Sequence, residues 1–166
     1  MTELGMTFSE QKLLEKCRDI ELLCKELYSF FAELYAGDED AALLWCKTAD
    51  EEQNHADQFT LALRLKKDLS CLVNLDHAKV DSVLSQLRTV IKKVRISPPL
   101  LQDALQSSIK LEKFISDLHL TCVVVYEDKQ SKSMFNAMMA SDNEHIASLQ
   151  NAYDKLAGTQ DWSFTG

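Results

Sequence analysis

A glutamate followed about thirty residues later by an acid, with a histidine three positions beyond that acid, occurs twice in this chain. The first set is Glu21, Glu52 and His55; the second is Glu112, Asp142 and His145, and it lies 91, 90 and 90 residues after the first. Packing residues keep the same register. Tyr35 and Tyr126 each stand 14 residues after their glutamate, and Trp45 and Phe135 each stand seven before their acid. A duplicated pair of helices explains the pattern, with the one-residue slip absorbed in the loop between paired helices.

The chain around these sets is periodic in the helical sense. Leu13, Cys17, Ile20, Cys24, Leu27, Phe31 and Leu34 predict a first helix over residues 9–35, broken by Gly37 and the acidic run after it. A second is expected over 40–68, with an aspartate as its N-cap and Leu44, Cys46, Ala49, Ala56, Phe59, Leu63 and Leu65 as apolar positions. Val80, Val83, Leu84, Leu87, Val90, Ile91 and Val94 form one face of a shorter helix over 78–95, the crossover between the two halves. Pro98 and Pro99 punctuate the start of a third long helix over 99–126, proline being tolerated in a first turn. A fourth long helix is expected to end near 157 with Gly158 as the residue after its cap, leaving 159–166 as a loosely held tail. Only 4 glycines and 2 prolines leave too few turns for a many-stranded sheet, and 166 residues suit one domain. The expected fold is all-α: a single four-helix bundle of two hairpins joined by a long crossover.

Composition excludes several roles. A net charge of −8 argues against general nucleic-acid binding, which needs clustered positive charge. No run approaches the roughly 20 apolar residues that span a bilayer, and the first residues lack the basic and apolar regions of a signal peptide, so a cytoplasmic location off the membrane is expected. Cys17, Cys24, Cys46, Cys71 and Cys122 are odd in number and contain no C-x-x-C pair, which points to reduced, largely buried thiols.

The chemistry lies in the repeated polar set. On a helix, residues three apart project from one face a turn apart, so an acid and an imidazole can converge on one metal ion or on adjacent ions. Chance alone would give about 0.6 such acid–histidine pairs among four histidines, so two pairs decide little by themselves. Their shared register and apolar setting decide more. Glu21 has Leu14, Cys17, Cys24 and Tyr28 as helical neighbours, and Glu112 lies among Leu105, Ile109 and Ile115, a poor place for an unpaired carboxylate. Glu26, flanked by Asp19, Ser29 and Glu33, reads as a solvated charge.

The segment ELLCKELYSFFA from Glu21 to Ala32, with its tyrosine seven residues after the glutamate, resembles the first helix of rubrerythrins. TADEEQNHA, from Thr48 to Ala56, is similar to the helix that carries their first E-x-x-H, and residues 111–120 and 140–149 are similar to the matching helices of the second half. The resemblance covers about residues 9–157 and implies a ferritin-like fold with a di-iron centre. It implies Glu21, Glu52, His55, Glu112, Asp142 and His145 as ligands: Glu21 and Glu112 terminal, Glu52 and Asp142 bridging, and the two histidines as nitrogen donors. Four carboxylates would then balance two divalent ions, iron or alternatively manganese. Tyr28 is the expected source of a proton or an electron.

Three departures from the family qualify the expectation. Asp142 stands where the family has glutamate and is shorter by roughly 1.5 Å, so the ion on the Asp142–His145 side is expected to be the more labile, with Glu144 as the substitute if Asp142 does not bind. Ile109 and Ile115 stand where rubrerythrins carry a further helix glutamate. No rubredoxin module of four cysteines is present, so electrons would come from a separate donor. The implied function is an oxidoreductase in which ferrous iron reacts with hydrogen peroxide or dioxygen, in a homodimer or higher homo-oligomer. The alternatives are iron oxidation for storage or traffic, and a purely structural or interaction bundle. His119, in the repeat position of Tyr28, is expected either to partner Glu112 or to sit as a satisfied core histidine. His77 is expected to be exposed, Arg88, Lys92, Lys93 and Arg95 to form a solvated basic face, and Met134, Met138 and Met139 to pack.

Overall fold

Thr7 opens the first helix with a capping box. Its hydroxyl accepts from the backbone N–H of Glu10 while the Glu10 carboxylate accepts from the backbone N–H of Thr7, satisfying two otherwise orphan donors. In this computed structural model, which describes residues 6–64, 76–123 and 129–161, helix α1 spans Phe8–Leu34, α2 Glu39–Arg64, α3 His77–Ile96, α4 Leu101–Val123 and α5 Lys129–Asp161. Among the described residues there is no strand, and no helix is long and apolar enough to cross a membrane. Asp38 caps α2 through the Ala41 N–H at 3.0 Å, and Asp76 caps α3 through the Ala78 N–H at 2.9 Å.

The helices form a bundle in which α1 packs most extensively on α2 and α4 on α5, with α2 also against α5. α3 lies along α1. Val80, Val83, Leu84, Leu87 and Ile91 are buried, while Val90 faces out. Two exposed ion pairs, Lys16–Asp81 at 2.8 Å and Arg95–Glu26 at 3.0 Å, hold its flank to α1. Such exposed pairs contribute little, about 0–1 kcal/mol each, so the apolar face does most of the anchoring.

The structure refines several sequence expectations. Pro99 precedes α4 instead of sitting in its first turn, and its carbonyl accepts from the Tyr35 hydroxyl at 2.8 Å, tying the end of the crossover to the end of α1. α5 continues through Gly158 to Asp161, because Gly158 does not adopt the positive φ that would terminate a helix there. Cys17 and Cys24 are buried but Cys46 is exposed. His77 is half-buried, with its Nε2 2.9 Å from the Ser9 hydroxyl. Leu65, Cys71, Tyr126 and the segment 162–166 lie outside the described residues, as does the side chain of Cys122.

Trp45 anchors the α1–α2 interface. It is fully buried, stacked on Tyr28 at 5.4 Å between ring centroids and tilted against Phe31 at 5.0 Å. Trp45→Ala should lower the stability of the metal-free protein by about 3–5 kcal/mol in a denaturant titration. Trp45→Phe should cost clearly less, since the indole N–H has no hydrogen-bond partner to lose.

Candidate metal centre

Seven ionisable side chains from four helices meet in the middle of the bundle. Glu21 comes from α1, Glu52 and His55 from α2, Glu112 and His119 from α4, and Asp142 and His145 from α5, each 2% exposed or less. All six ligand candidates are therefore brought together. Glu144 is exposed and takes no part. A groove of about 680 Å³ between α3 and α4, walled in part by Leu87, Leu111 and Phe114, contains none of these residues.

Two reciprocal bonds set the register of α1 against α4. Tyr28 donates its hydroxyl to Glu112 Oε1, and His119 Nε2 lies 2.7 Å from Glu21 Oε1. Each donor stands seven residues after the glutamate of its own helix and reaches the glutamate of the other, as antiparallel axes require. The expectation that His119 partners Glu112 is corrected: its partners are Glu21 and, through Nδ1 at 2.6 Å, Asp142 Oδ2.

Glu52 stands between two imidazoles. Its Oε2 is 3.4 Å from His55 Nδ1 and its Oε1 is 3.3 Å from His145 Nδ1. Around His55 Nδ1 lie also Glu21 Oε2 at 3.5 Å and Asp142 Oδ1 at 3.8 Å; around His145 Nδ1 lies Glu112 Oε2 at 3.7 Å. Two groups able to hold a cation result, Glu21–Glu52–His55 and Glu52–Glu112–His145, with ligand atoms within 4.8 Å of one another in each. Glu52 belongs to both. Asp142 does not mirror it, for its free oxygen faces His55 and not His145. α2 and α5 run antiparallel, so the acid of each lies level with the histidine of the other, and the symmetry is broken where Asp142 Oδ2 is taken up by His119 Nδ1 at 2.6 Å.

These contacts are too long or too poorly aimed to be hydrogen bonds, and each of the six residues keeps a buried atom without a partner. The orphans are Glu21 Oε2, Glu52 Oε1, His55 Nδ1, Glu112 Oε2, Asp142 Oδ1 and His145 Nδ1. A single unsatisfied buried polar atom costs about 1–3 kcal/mol, a penalty that cations held by these groups could relieve. The donor set of carboxylate oxygens and imidazole nitrogens fits a divalent transition metal.

Without metal, protons hold the charges together. Burial opposes the charged form of His55 and His145, but the carboxylates close around them prevail and raise them to about 9 and about 10. His119 is held well above the ordinary histidine value despite its burial, chiefly by Glu21 and Asp142. Burial pushes Glu52 and Glu112 up, whereas at Glu21 the charge and bonds of His119 overcome burial and bring the carboxyl down to about 2. Cys24, buried beside the cluster, is raised by burial and by the charge of Glu52, so it stays a neutral thiol. Tyr28 is raised by burial and by Glu112, and keeps its proton.

One contact had no signal in the sequence. Glu51, next to Glu52, accepts from His145 Nε2 and so leaves Nδ1 as the inward-facing nitrogen. Its side chain is 21% exposed, which makes it the link between the buried cluster and solvent. His55 Nε2 has no such partner. No protein-family model matches this chain, and no match was found among curated proteins or solved structures.

Proposed function

We propose that this chain is a di-iron protein of the ferritin-like, rubrerythrin type, lacking a rubredoxin module, and that it reduces hydrogen peroxide or dioxygen with electrons from a separate donor. The observation that carries this reading is the convergence of orphaned ligand atoms from five residues into two groups sharing Glu52, with a sixth orphan, Asp142 Oδ1, 3.8 Å from His55 Nδ1. Helical pairing of α1 with α2 and of α4 with α5 supports the fold assignment. A set rich in carboxylates is hard for zinc's usual nitrogen and sulfur preferences, which favours iron, with manganese as the alternative.

Bound as a ferrous pair, the metal would supply the two electrons that, with two protons, convert hydrogen peroxide to two waters. Glu52, common to both groups, would help to hold both ions, His55 and His145 would each offer Nδ1 once its proton has left, and Glu21 and Glu112 would each offer an oxygen to one of them. Tyr28 holds Glu112 in place and keeps a proton beside it. Glu51 connects His145 to the solvent through which protons are exchanged. Buried Phe59 packs on the cluster, its ring centroid 5.9 Å from that of His119 and 5.5 Å from that of Phe135.

Protein reconstituted with ferrous iron without oxygen should hold about two ions per chain by elemental analysis. Stopped-flow mixing should then show faster oxidation by peroxide than by dioxygen, with repeated turnover when a reductant is supplied. One ion or none would refute the reading; a single round of oxidation with iron retained as mineral would point to storage.

A further inference from the structure

The two halves of the repeat differ at two of their polar positions, and the differing residues touch. The second half has His119 where the first has Tyr28, and Asp142 where the first has Glu52; His119 Nδ1 lies 2.6 Å from Asp142 Oδ2. A tyrosine hydroxyl has one proton to donate and holds one carboxylate, Glu112. An imidazole with both nitrogens protonated holds two, and His119, on α4, bonds Asp142 on α5 and Glu21 on α1 at once. Its two partners are thereby turned alike. With Glu21 Oε1 and Asp142 Oδ2 engaged, the unbonded oxygens of both face His55 Nδ1, at 3.5 and 3.8 Å.

We propose that His119 and Asp142 act as a coupled pair that makes the two metal positions unequal, resting on the metal-centre reading above. The position beside His55 has Glu21, Glu52 and His55, and Asp142 Oδ1, 3.8 Å from His55 Nδ1, joins them as a fourth donor, so this position fills first. The position beside His145 has three, from Glu52, Glu112 and His145, and fills second. The shorter Asp142 is drawn away from His145 by the imidazole, so the three-ligand position keeps its coordination open and is where a small anion binds. The ion beside His145 is thus the more labile, the order expected from the length of Asp142, but the cause is that the free oxygen of Asp142 faces His55. His119 is a positioning residue: it reaches the ions only through Glu21 and Asp142.

Cobalt(II) titration of the full chain, followed by calorimetry and by visible absorption, tests the pair. The parent should load in two steps at least about tenfold apart in affinity. Asp142→Asn should weaken the first step by about tenfold or more and leave the second in place. His119→Tyr should weaken the first step similarly, because one hydroxyl cannot hold both carboxylates. The double variant His119→Tyr with Asp142→Glu reproduces the first half's residues in the second half, and should recover tight loading with its two steps merged. Azide should perturb the absorption only after the second equivalent of cobalt. Equal affinities in the parent, an effect of Asp142→Asn on the second step alone, additive losses in the double variant, or an azide response at one equivalent would each overturn the proposal while leaving a two-metal centre standing. Failure of the parent to bind cobalt at all would overturn both. Should His119→Tyr lose helical circular dichroism, the two steps of the parent, Asp142→Asn and the azide response still decide.

Discussion

Glu52→Ala should reduce metal loading from about two ions per chain to none, whereas His55→Ala and His145→Ala should each remove one. The difference follows from placement. Glu52 faces both imidazoles, at 3.4 and 3.3 Å, and is common to both ligand groups, while each histidine belongs to one. Losing a shared carboxylate removes a ligand from both positions and leaves two cations facing each other with less charge between them. Helix content should barely change, because most of a bundle's stability comes from its apolar faces. Glu52→Gln, which keeps the volume, should leave the metal-free protein at least as stable as the parent. Burial has already raised the Glu52 carboxyl, so ionising it in the folded protein is unfavourable. Elemental analysis after reconstitution and melting in the presence of a chelator provide the two measurements. A Glu52→Ala protein that still binds an ion tightly would show that Glu52 is not the bridge.

Metal-free and metal-loaded protein should respond to pH in opposite directions. In the metal-free fold His55 and His145 titrate near 9 and near 10, against about 6.5 for an unfolded histidine. Their contribution to stability is therefore complete below about pH 6.5 and is lost as the pH rises through the folded values. Glu52 and Glu112, also raised, act with the same sign from their unfolded values upward. The melting temperature of the metal-free protein should fall between pH 6.5 and 10 by on the order of 5–10 °C, a loss of a few kcal/mol in a domain of this size. Metal binding must expel the same protons. Apparent affinity for each ion should rise up to about tenfold per pH unit from pH 6 to 9, roughly a thousandfold across the range, with proton release measurable in weak buffer. A metal-free melting temperature that is flat or rising over that interval would mean the imidazoles are not held as cations.

Much of this was legible in the chain. The helical period of α1 was visible because its buried residues, from Leu13 through Phe31, recur with the turn of the helix, and a core-facing stripe is a local property. The six cluster residues were legible for a related reason, since a charged residue set among apolar neighbours on one face must be buried with a partner. The partners themselves were not legible. His119 bonds Glu21 across 98 positions of sequence and Glu51 bonds His145 across 94, and no local pattern reports such contacts. Glu51 was hidden further by standing beside Glu52, where spacing alone cannot tell a residue facing the core from one reaching in from its rim. Gly158 misled for the opposite reason: a glycine permits a helix to end but does not require it, and α5 continues past it.

The sequence alone determined that the chain is helical and that a duplicated set of acids and histidines must share its interior, because periodicity and burial are encoded residue by residue. Only the tertiary structure decided which acid meets which imidazole. Helix direction sets the pairing, since with α2 and α5 antiparallel Glu52 lies level with His145 and Asp142 with His55, and the bond from His119 to Asp142 then makes two spacings identical in the chain unequal in space.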